Sequence, residues 1–218
     1  MKEKKPISIE HSALLIVDMS NDFVDPVLRA HNFCEDGYRL LPKMKVFIDK
    51  CRDMGVCIIY TTHTYRRNQA DMSEAKKTDQ RLLGVQHVEG THGPKIHEII
   101  APQKGDLLLA KHYFSAFYGT EMNTLLRANG IDTVFVLGVT TDICCLATAR
   151  AAQMDGYRTV MVEDMMAAVP SGDIGYGAYS ADQCHRLAVN SLFSSGIDMI
   201  RSAEIENVFR EGDIPCRG

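Results

Sequence analysis

The sequence lacks a long hydrophobic run. Its apolar stretches, such as Ala13–Val17, are far shorter than the roughly 18 residues that cross a bilayer. The N-terminal residues MKEKKPISIEH also lack the apolar centre of a signal peptide. We therefore expect a cytoplasmic protein that has no membrane partner. In that reducing compartment the seven cysteines are expected to be free thiols.

The sequence also lacks an excess of basic residues. It has 24 Lys and Arg against 28 Asp and Glu, which gives a net charge of −4 and a pI near 6.1. Without a basic block, nucleic acid is not an expected partner. Internal repeats, low-complexity tracts and Gly/Ser-rich linkers are absent as well. A chain of 218 residues can bury a full core, and we expect one domain over residues 1–218.

What the sequence does contain is short apolar runs that alternate with longer helix-like stretches. The runs are Ala13–Asp18, Val56–Thr61, Leu107–Lys111, Thr133–Gly138, Thr159–Asp164 and Ile197–Ser202. The predicted helices are Gly37–Asp53, Thr120–Asn129, Asp142–Asp155 and Tyr179–Ser195. Continuous apolar runs are typical of strands buried on both faces of a parallel sheet. The alternation predicts a doubly wound α/β fold, without defining the strand order.

Two nucleotide-binding fingerprints are missing from this α/β pattern. The residues after the first strand are Asp18-Met19-Ser20-Asn21 rather than G-x-G-x-x-G, and there is no P-loop. A dinucleotide-dependent oxidoreductase is therefore disfavoured.

One connection, around residues 62–106, is far longer than the 2–6 residues usual for loops in α/β proteins. We expect it to be a lid, a binding loop or a subunit interface, with a plain insertion as the alternative. Arg66 and Arg67 lie within it. They could clamp a substrate carboxylate, or simply form a solvated face.

Polar residues follow three of the predicted strands, at the sheet edge where α/β proteins bind ligands. Asp18 and Lys111 end the first and third strands, and Cys144 and Cys145 follow the fourth. If Asp142 is the N-cap, both thiols lie in the first helical turn, where the helix dipole lowers a thiol pKa. Alternatively, the cysteines are small buried hydrophobic residues, the aspartate caps a loop and the lysine extends to the surface.

Three blocks of sequence carry a family resemblance. They are LLIVDMSNDFV (Leu14–Val24), APQKGDLLLAKHYFSAFYGTEMNTLL (Ala101–Leu126) and GIDTVFVLGVTTDICCLATARAA (Gly130–Ala152), with the lesser signal GTHG (Gly90–Gly93). With them the chain resembles the isochorismatase-like cysteine hydrolases, which include nicotinamidases, N-carbamoylsarcosine amidases, ureidoacrylate amidohydrolases and biuret hydrolases. The resemblance implies a three-layer α/β/α fold with a mainly parallel six-stranded sheet of Rossmann-like topology.

The resemblance also implies specific site residues. The catalytic residues would be Asp18, Lys111 and Cys144, because the family nucleophile is the cysteine that follows T-D-x. A cis peptide bond between Val139 and Thr140 would turn the Thr140 N–H toward the oxyanion, beside the N–H of Cys144. Cys145 would then be a packing residue.

Four further residues are candidates for substrate binding, namely Phe23, His63, Arg66 and Phe117. Aromatic rings suit the walls of a pocket for a small planar substrate. Core packing is the alternative interpretation for the phenylalanines.

The implied activity is hydrolysis of a small amide or ureido (N-carbamoyl) substrate, with release of ammonia through a thioester intermediate. No cofactor is expected. No metal is expected either, because the stretch Thr61-Thr62-His63 lacks the D-x-H pair that binds metal in nicotinamidases. A homodimer or homotetramer is expected from the family. Vinyl-ether hydrolysis, nicotinamidase-like activity and a non-catalytic role remain open alternatives, as does the identity of the amide or ureide.

Overall fold

The computed structural model describes residues 6–28, 31–77 and 86–215. Within these residues six parallel strands form one sheet, in the order β3-β2-β1-β4-β5-β6. The strands are β1 (Ser12–Val17), β2 (Cys57–His63), β3 (Leu107–Lys111), β4 (Thr133–Val139), β5 (Arg158–Ala167) and β6 (Asp198–Ile200). The prediction of a parallel six-stranded α/β fold is confirmed, and the order is that of a Rossmann-like sheet.

The helices of the described residues connect these strands. They are α1 (Asn21–Val24), α2 (Glu35–Asp53), α3 (Glu74–Lys77), α4 (Met122–Ala128), α5 (Leu146–Met154), α6 (Ala181–Ser194) and α7 (Ile205–Glu211). Helix α6 begins with a capping box in which Ser180 and Gln183 satisfy each other's backbone N–H groups. None of the described helices has both the length and the apolar composition needed to cross a bilayer.

The two central strands are buried along their whole length. They pair in register, from Ser12 opposite Thr133 to Val17 opposite Gly138. Gly138 has a φ of +119°, and a Cβ atom there would lie 2.1 Å from the carbonyl oxygen of Val17. Only glycine fits this position, because any side chain would separate β1 from β4 at their carboxyl ends.

The strand order reverses direction between β1 and β4. The connections from β1 run outward through β2 to β3, whereas those from β4 run the other way to β6. In open α/β sheets ligands bind at this switch point, outside the carboxyl ends of the strands. The fold therefore indicates a ligand site at the residues that follow Val17 and Val139.

Candidate active site

Three buried side chains meet at this edge of the sheet, and we call Asp18, Lys111 and Cys144 the central cluster. The Nζ atom of Lys111 lies 2.6 Å from Oδ2 of Asp18 and 3.5 Å from Sγ of Cys144. The side chains of the ion pair have no exposed surface. The structure therefore brings together an acid, an ammonium and a thiol that are far apart in sequence.

The backbone fixes the Asp18 carboxylate. Directly after β1 the residue adopts a left-handed conformation with a φ of +52°, which Asp tolerates better than most residues. Its N–H donates to the carbonyl oxygen of Thr61 over 3.1 Å, and the Thr61 hydroxyl donates to Oδ1 over 3.3 Å. The carboxylate is thereby aimed across β2 toward the lysine at the end of β3.

The turn that carries Cys144 differs from the prediction. Residues Thr141–Cys145 form a π-helical turn with Thr140 at the N-cap, and α5 starts only at Leu146. The condition that Asp142 is the N-cap is therefore not met, and the N–H of Cys145 donates five residues back to the Thr140 carbonyl over 3.1 Å. Single π-turns of this kind are frequent at functional sites.

The predicted lowering of the thiol pKa is also wrong. Burial raises the pKa of Cys144 to about 12, and Asp18 adds to this effect while Lys111 opposes it. Burial acts against the charge of Lys111 too, but Asp18 and Cys144 outweigh it and raise the lysine pKa. The Cys144 thiol is therefore protonated beside the Lys111 ammonium, so a nucleophilic thiolate requires a base.

A small cavity opens above Cys144. Its volume is about 70 Å³, which is room for roughly five water-sized groups. Thr140, Ile143 and Cys144 line it from the turn after β4, and the peptide bond between Val139 and Thr140 is cis. The cavity therefore admits only a small substrate next to the thiol.

The opposite side of the cavity comes mainly from the connection between β2 and β3. We call its five lining residues the roof: Tyr65, Met72, Lys76, Gln86 and His87. The remaining walls are Phe23, Asn32, His63, Phe114 and Val169. The long connection thus contributes directly to the candidate site.

Two of the four candidate substrate-binding residues line the cavity and two do not. Phe23 and His63 face it. The Arg66 side chain is 65% exposed, and its Nε lies 3.8 Å from Oδ2 of Asp71, so it points to solvent. Phe117 is buried and packs against Tyr157, with 5.8 Å between ring centroids, so for this residue the core-packing alternative describes its position.

The roof residues that shape the cavity do not stand out in the amino-acid sequence. His87 is buried, with a φ of +59°, and stacks on Phe23 with ring centroids 4.8 Å apart. The Asp22 carboxylate accepts from the backbone N–H of His87 over 2.7 Å and anchors it. The length of the connection was the available signal, but length does not identify which of its side chains turn inward.

A metal ion is a poor fit to the space between Asp18, His63 and Cys144. Ligand atoms of Asp18, His63 and Cys144 lie within 4.8 Å of one another, as metal ligands would. The Lys111 ammonium, however, lies 2.6, 3.3 and 3.5 Å from these same three residues. A positive charge of the protein itself already occupies the position between them, and it would repel a cation there.

Comparison with known proteins identifies the family of this fold and site. Residues 12–204 match the isochorismatase domain family. The chain belongs to this family, as the sequence resemblance predicted.

Several of the similar proteins are named as amidohydrolases or amidases. Maleamate amidohydrolase of Pseudomonas putida is 42% identical over 153 residues, covering 70% of each chain. Ureidoacrylate amidohydrolase RutB of Agrobacterium fabrum is 29% identical over 178 residues, which is 73% of this chain and 78% of the relative. The crystal structure of a cysteine hydrolase from Pseudomonas syringae superposes with a TM-score of 0.85 at 25% identity, over 97% of this chain and 100% of that one. The chain is accordingly an isochorismatase-family hydrolase with amidohydrolase relatives.

Proposed function

We propose that this protein is a cysteine-dependent amidohydrolase that cleaves a small amide or ureido substrate and releases ammonia. The observation that carries the proposal is the central cluster, in which one buried lysine contacts both a carboxylate and a thiol beneath a small cavity. Such a cluster supplies a nucleophile, a base and a fixed positive charge.

In the first half-reaction Asp18 takes the proton of the Cys144 thiol, and the Lys111 ammonium stabilises the resulting thiolate. The thiolate attacks the carbonyl carbon of the substrate. The backbone N–H groups of Thr140 and Cys144 hold the oxyanion that forms. As the C–N bond breaks, Asp18 returns the proton to the leaving nitrogen, and ammonia departs from a thioester on Cys144.

In the second half-reaction water replaces ammonia. Asp18, again a carboxylate, takes a proton from the water molecule as it attacks the thioester carbonyl. The tetrahedral intermediate collapses, the C–S bond breaks and the proton returns to the sulfur. The carboxylic acid product then leaves, and the thiol, carboxylate and ammonium are in their starting states.

The relatives indicate which substrates to test first. The names of two of them refer to maleamate and to ureidoacrylate, which are small molecules with a terminal amide or ureido group. The cavity of about 70 Å³ has room for the reacting end of such a molecule next to the thiol. The higher identity of the maleamate enzyme places short monoamides first and ureides second.

The test is an ammonia-release screen with purified protein over short monoamides, N-carbamoyl amino acids, ureidoacrylate, biuret and nicotinamide. Turnover of a small amide or ureide is the expected result. Release of pyruvate from a vinyl-ether substrate, with no ammonia from any amide or ureide, would contradict the proposal. Two predictions still rest on the sequence alone. Light scattering of the purified protein distinguishes a dimer or tetramer from a monomer, and fractionation of the source cells tests the cytoplasmic location.

A further inference from the structure

The Lys111 ammonium has more acceptors around it than N–H groups to donate. Its Nζ lies 3.1 Å from the carbonyl oxygen of Tyr113 and 3.3 Å from Nδ1 of His63. It also lies 2.6 Å from Oδ2 of Asp18 and 3.5 Å from Sγ of Cys144. An ammonium has three N–H donors. With two of them directed to Tyr113 and His63, one N–H is left for the side on which Asp18 and Cys144 lie.

His63 accepts this hydrogen bond through an unprotonated Nδ1. An ammonium can only donate, so Lys111 is the donor. Burial, reinforced by the charge of Lys111, lowers the pKa of His63 well below its ordinary value, and the imidazole is neutral. Lys76, His87 and His112 act on the His63 pKa in the same direction. The single N–H proton of the neutral ring therefore lies on Nε2.

The second ring nitrogen of His63 is held by Tyr65. Nε2 lies 2.6 Å from the hydroxyl oxygen of the buried Tyr65, and the two rings meet edge to face with 4.8 Å between centroids. A hydrogen bond at one ring nitrogen determines the role of the other. Both nitrogens of His63 are thus engaged by protein groups, although the residue lines the cavity.

The direction of the Lys111 ammonium matters because the surroundings of Cys144 oppose a thiolate. Burial raises the pKa of this thiol to about 12, and the charge of Asp18 adds to the effect, whereas Lys111 acts against it. The stabilisation that a positive charge gives a thiolate falls with distance. An ammonium that turned wholly toward Asp18 would therefore stabilise the thiolate less.

We propose that His63 is a positioning residue for Lys111, with Tyr65 fixing its tautomer. Nδ1 of His63 and the Tyr113 carbonyl hold two N–H groups of the ammonium, so that the third faces the Cys144 sulfur when the thiolate forms. His63 neither gains nor loses a proton in the reaction. The inference rests on the proposed function, and it replaces the expected contact of His63 with substrate by a contact with Lys111.

Two substitutions of His63 separate positioning from packing. His63→Asn keeps an acceptor oxygen close to the place of Nδ1, whereas His63→Leu has nearly the shape of that asparagine but no acceptor. His97→Leu is the matched control, because His97 is also buried but does not line the cavity. Circular dichroism and urea unfolding establish that each variant is folded.

The first measurement needs no substrate. It is the rate at which iodoacetamide alkylates Cys144 as a function of pH, read by tandem mass spectrometry that distinguishes this thiol from Cys145. His63→Leu is expected to lower the rate at neutral pH about tenfold, because less thiolate is present. His63→Asn should stay within about threefold of the wild type, and His97→Leu should match it. Equal rates in the Asn and Leu variants, or in the Leu variant and the wild type, would overturn the proposal.

The second measurement is the turnover of maleamate. His63→Leu is expected to lower kcat by about 10- to 100-fold while KM stays within about threefold, since the lost contact acts on the reaction and not on binding. His63→Asn should recover most of the loss in kcat. A rise in KM with an unchanged kcat would make His63 a substrate-binding residue and overturn the positioning role.

The tautomer of His63 is read in the wild-type protein by long-range ¹H–¹⁵N NMR, with its signals assigned by their loss in His63→Asn. A proton on Nε2 and none on Nδ1 supports the proposal, and a proton on Nδ1 overturns it. Neither this measurement nor the alkylation requires turnover. If both agree with the positioning role while the wild type hydrolyses no amide or ureide, the proposed function fails and the role of His63 stands.

Discussion

The floor and the roof of the cavity are built in different ways. The floor is the central cluster, in which Cys144 lines the cavity and the Asp18–Lys111 pair lies buried behind it. Asp18 follows β1, Lys111 ends β3 and Cys144 follows β4, so the parallel sheet fixes their positions. The roof comes from the connection between β2 and β3, and its side chains are held by contacts between loops, such as that from the Asp22 carboxylate to the N–H of His87. The sheet therefore positions the reactive groups of the site, whereas the loops determine what can enter it.

The two adjacent thiols provide the most severe test of this difference between floor and roof. Cys144→Ala is expected to lower kcat by about 10³-fold or more, because it removes the proposed nucleophile. Cys145→Ala is the matched control, since this thiol is fully buried but does not line the cavity. It should retain most of the activity, and ammonia release measures both. Equal losses in the two variants would break the assignment of chemistry to one floor thiol.

The next largest effect is expected on stability, at the buried ion pair of the floor. Lys111→Met leaves the Asp18 carboxylate buried without its partner, and we expect a loss of about 3–5 kcal/mol in the free energy of unfolding. The double variant Asp18→Asn/Lys111→Met should be less destabilised than the sum of the single variants. Urea unfolding measures these differences.

A surface pair provides the control for this prediction. Lys43 pairs with Asp164 over 2.6 Å, but the lysine side chain is 52% exposed. Lys43→Met should therefore lower the free energy of unfolding by less than about 1 kcal/mol. If Lys111→Met lowered the free energy of unfolding no more than Lys43→Met does, the buried pair would not be what stabilises the floor.

A glycine substitution tests whether the roof affects substrate binding more than the rate of the reaction. A Cβ atom at Gly93 would lie 2.3 Å from the Asp22 carboxylate oxygens, which must then move and release His87. Gly93→Ala is expected to raise KM about tenfold, with a smaller change in kcat and a loss of about 1–3 kcal/mol in stability. Gly172→Ala adds its methyl group to open space and should change none of these three quantities. A fall in kcat alone would contradict the division between roof and floor.

The smallest expected effect is a pH dependence of stability that comes from His63. Its folded-state pKa lies well below 6.5, whereas in the unfolded chain it is close to that value. As the pH falls below about 6.5 the unfolded chain takes up a proton that the folded protein does not, so stability is lost toward acid pH.

His63→Gln should remove this part of the acid sensitivity. The pKa values of His97 and His185 are also lowered by burial, so the relevant quantity is the difference between wild type and variant, measured as unfolding free energy from pH 7.5 to 5. Parallel curves for the two proteins would contradict a buried, neutral His63.

The sequence predicted the floor well for a physical reason. Continuous apolar runs identify buried parallel strands, and polar residues at their ends must meet at one sheet edge. That reasoning placed Asp18, Lys111 and the two adjacent thiols at one sheet edge before the strand order was known, and the family resemblance then selected Cys144. It failed locally at the turn after β4, where the expected helix dipole would favour a thiolate but burial dominates and raises the pKa of Cys144 to about 12.

The roof could not be predicted in the same way. Arg66 and Tyr65 are neighbours in a polar loop, yet the arginine is exposed beside Asp71 and the tyrosine lines the cavity. Loop side chains follow no hydrophobic period, so nothing in the pattern indicates which of them turn inward. Contacts between residues far apart in sequence, such as Asp22 with His87, decide their positions.

The proposed mechanism requires that Cys144 carry the acyl group of the substrate during turnover. The direct measurement is rapid acid quench of a maleamate reaction at excess enzyme, followed by mass spectrometry of the peptide that contains Cys144. We expect an acyl adduct on this cysteine that forms and decays within one turnover and is absent from Cys144→Ala protein. Release of ammonia by the wild-type protein, with Cys144 unmodified at every time point, would contradict this mechanism.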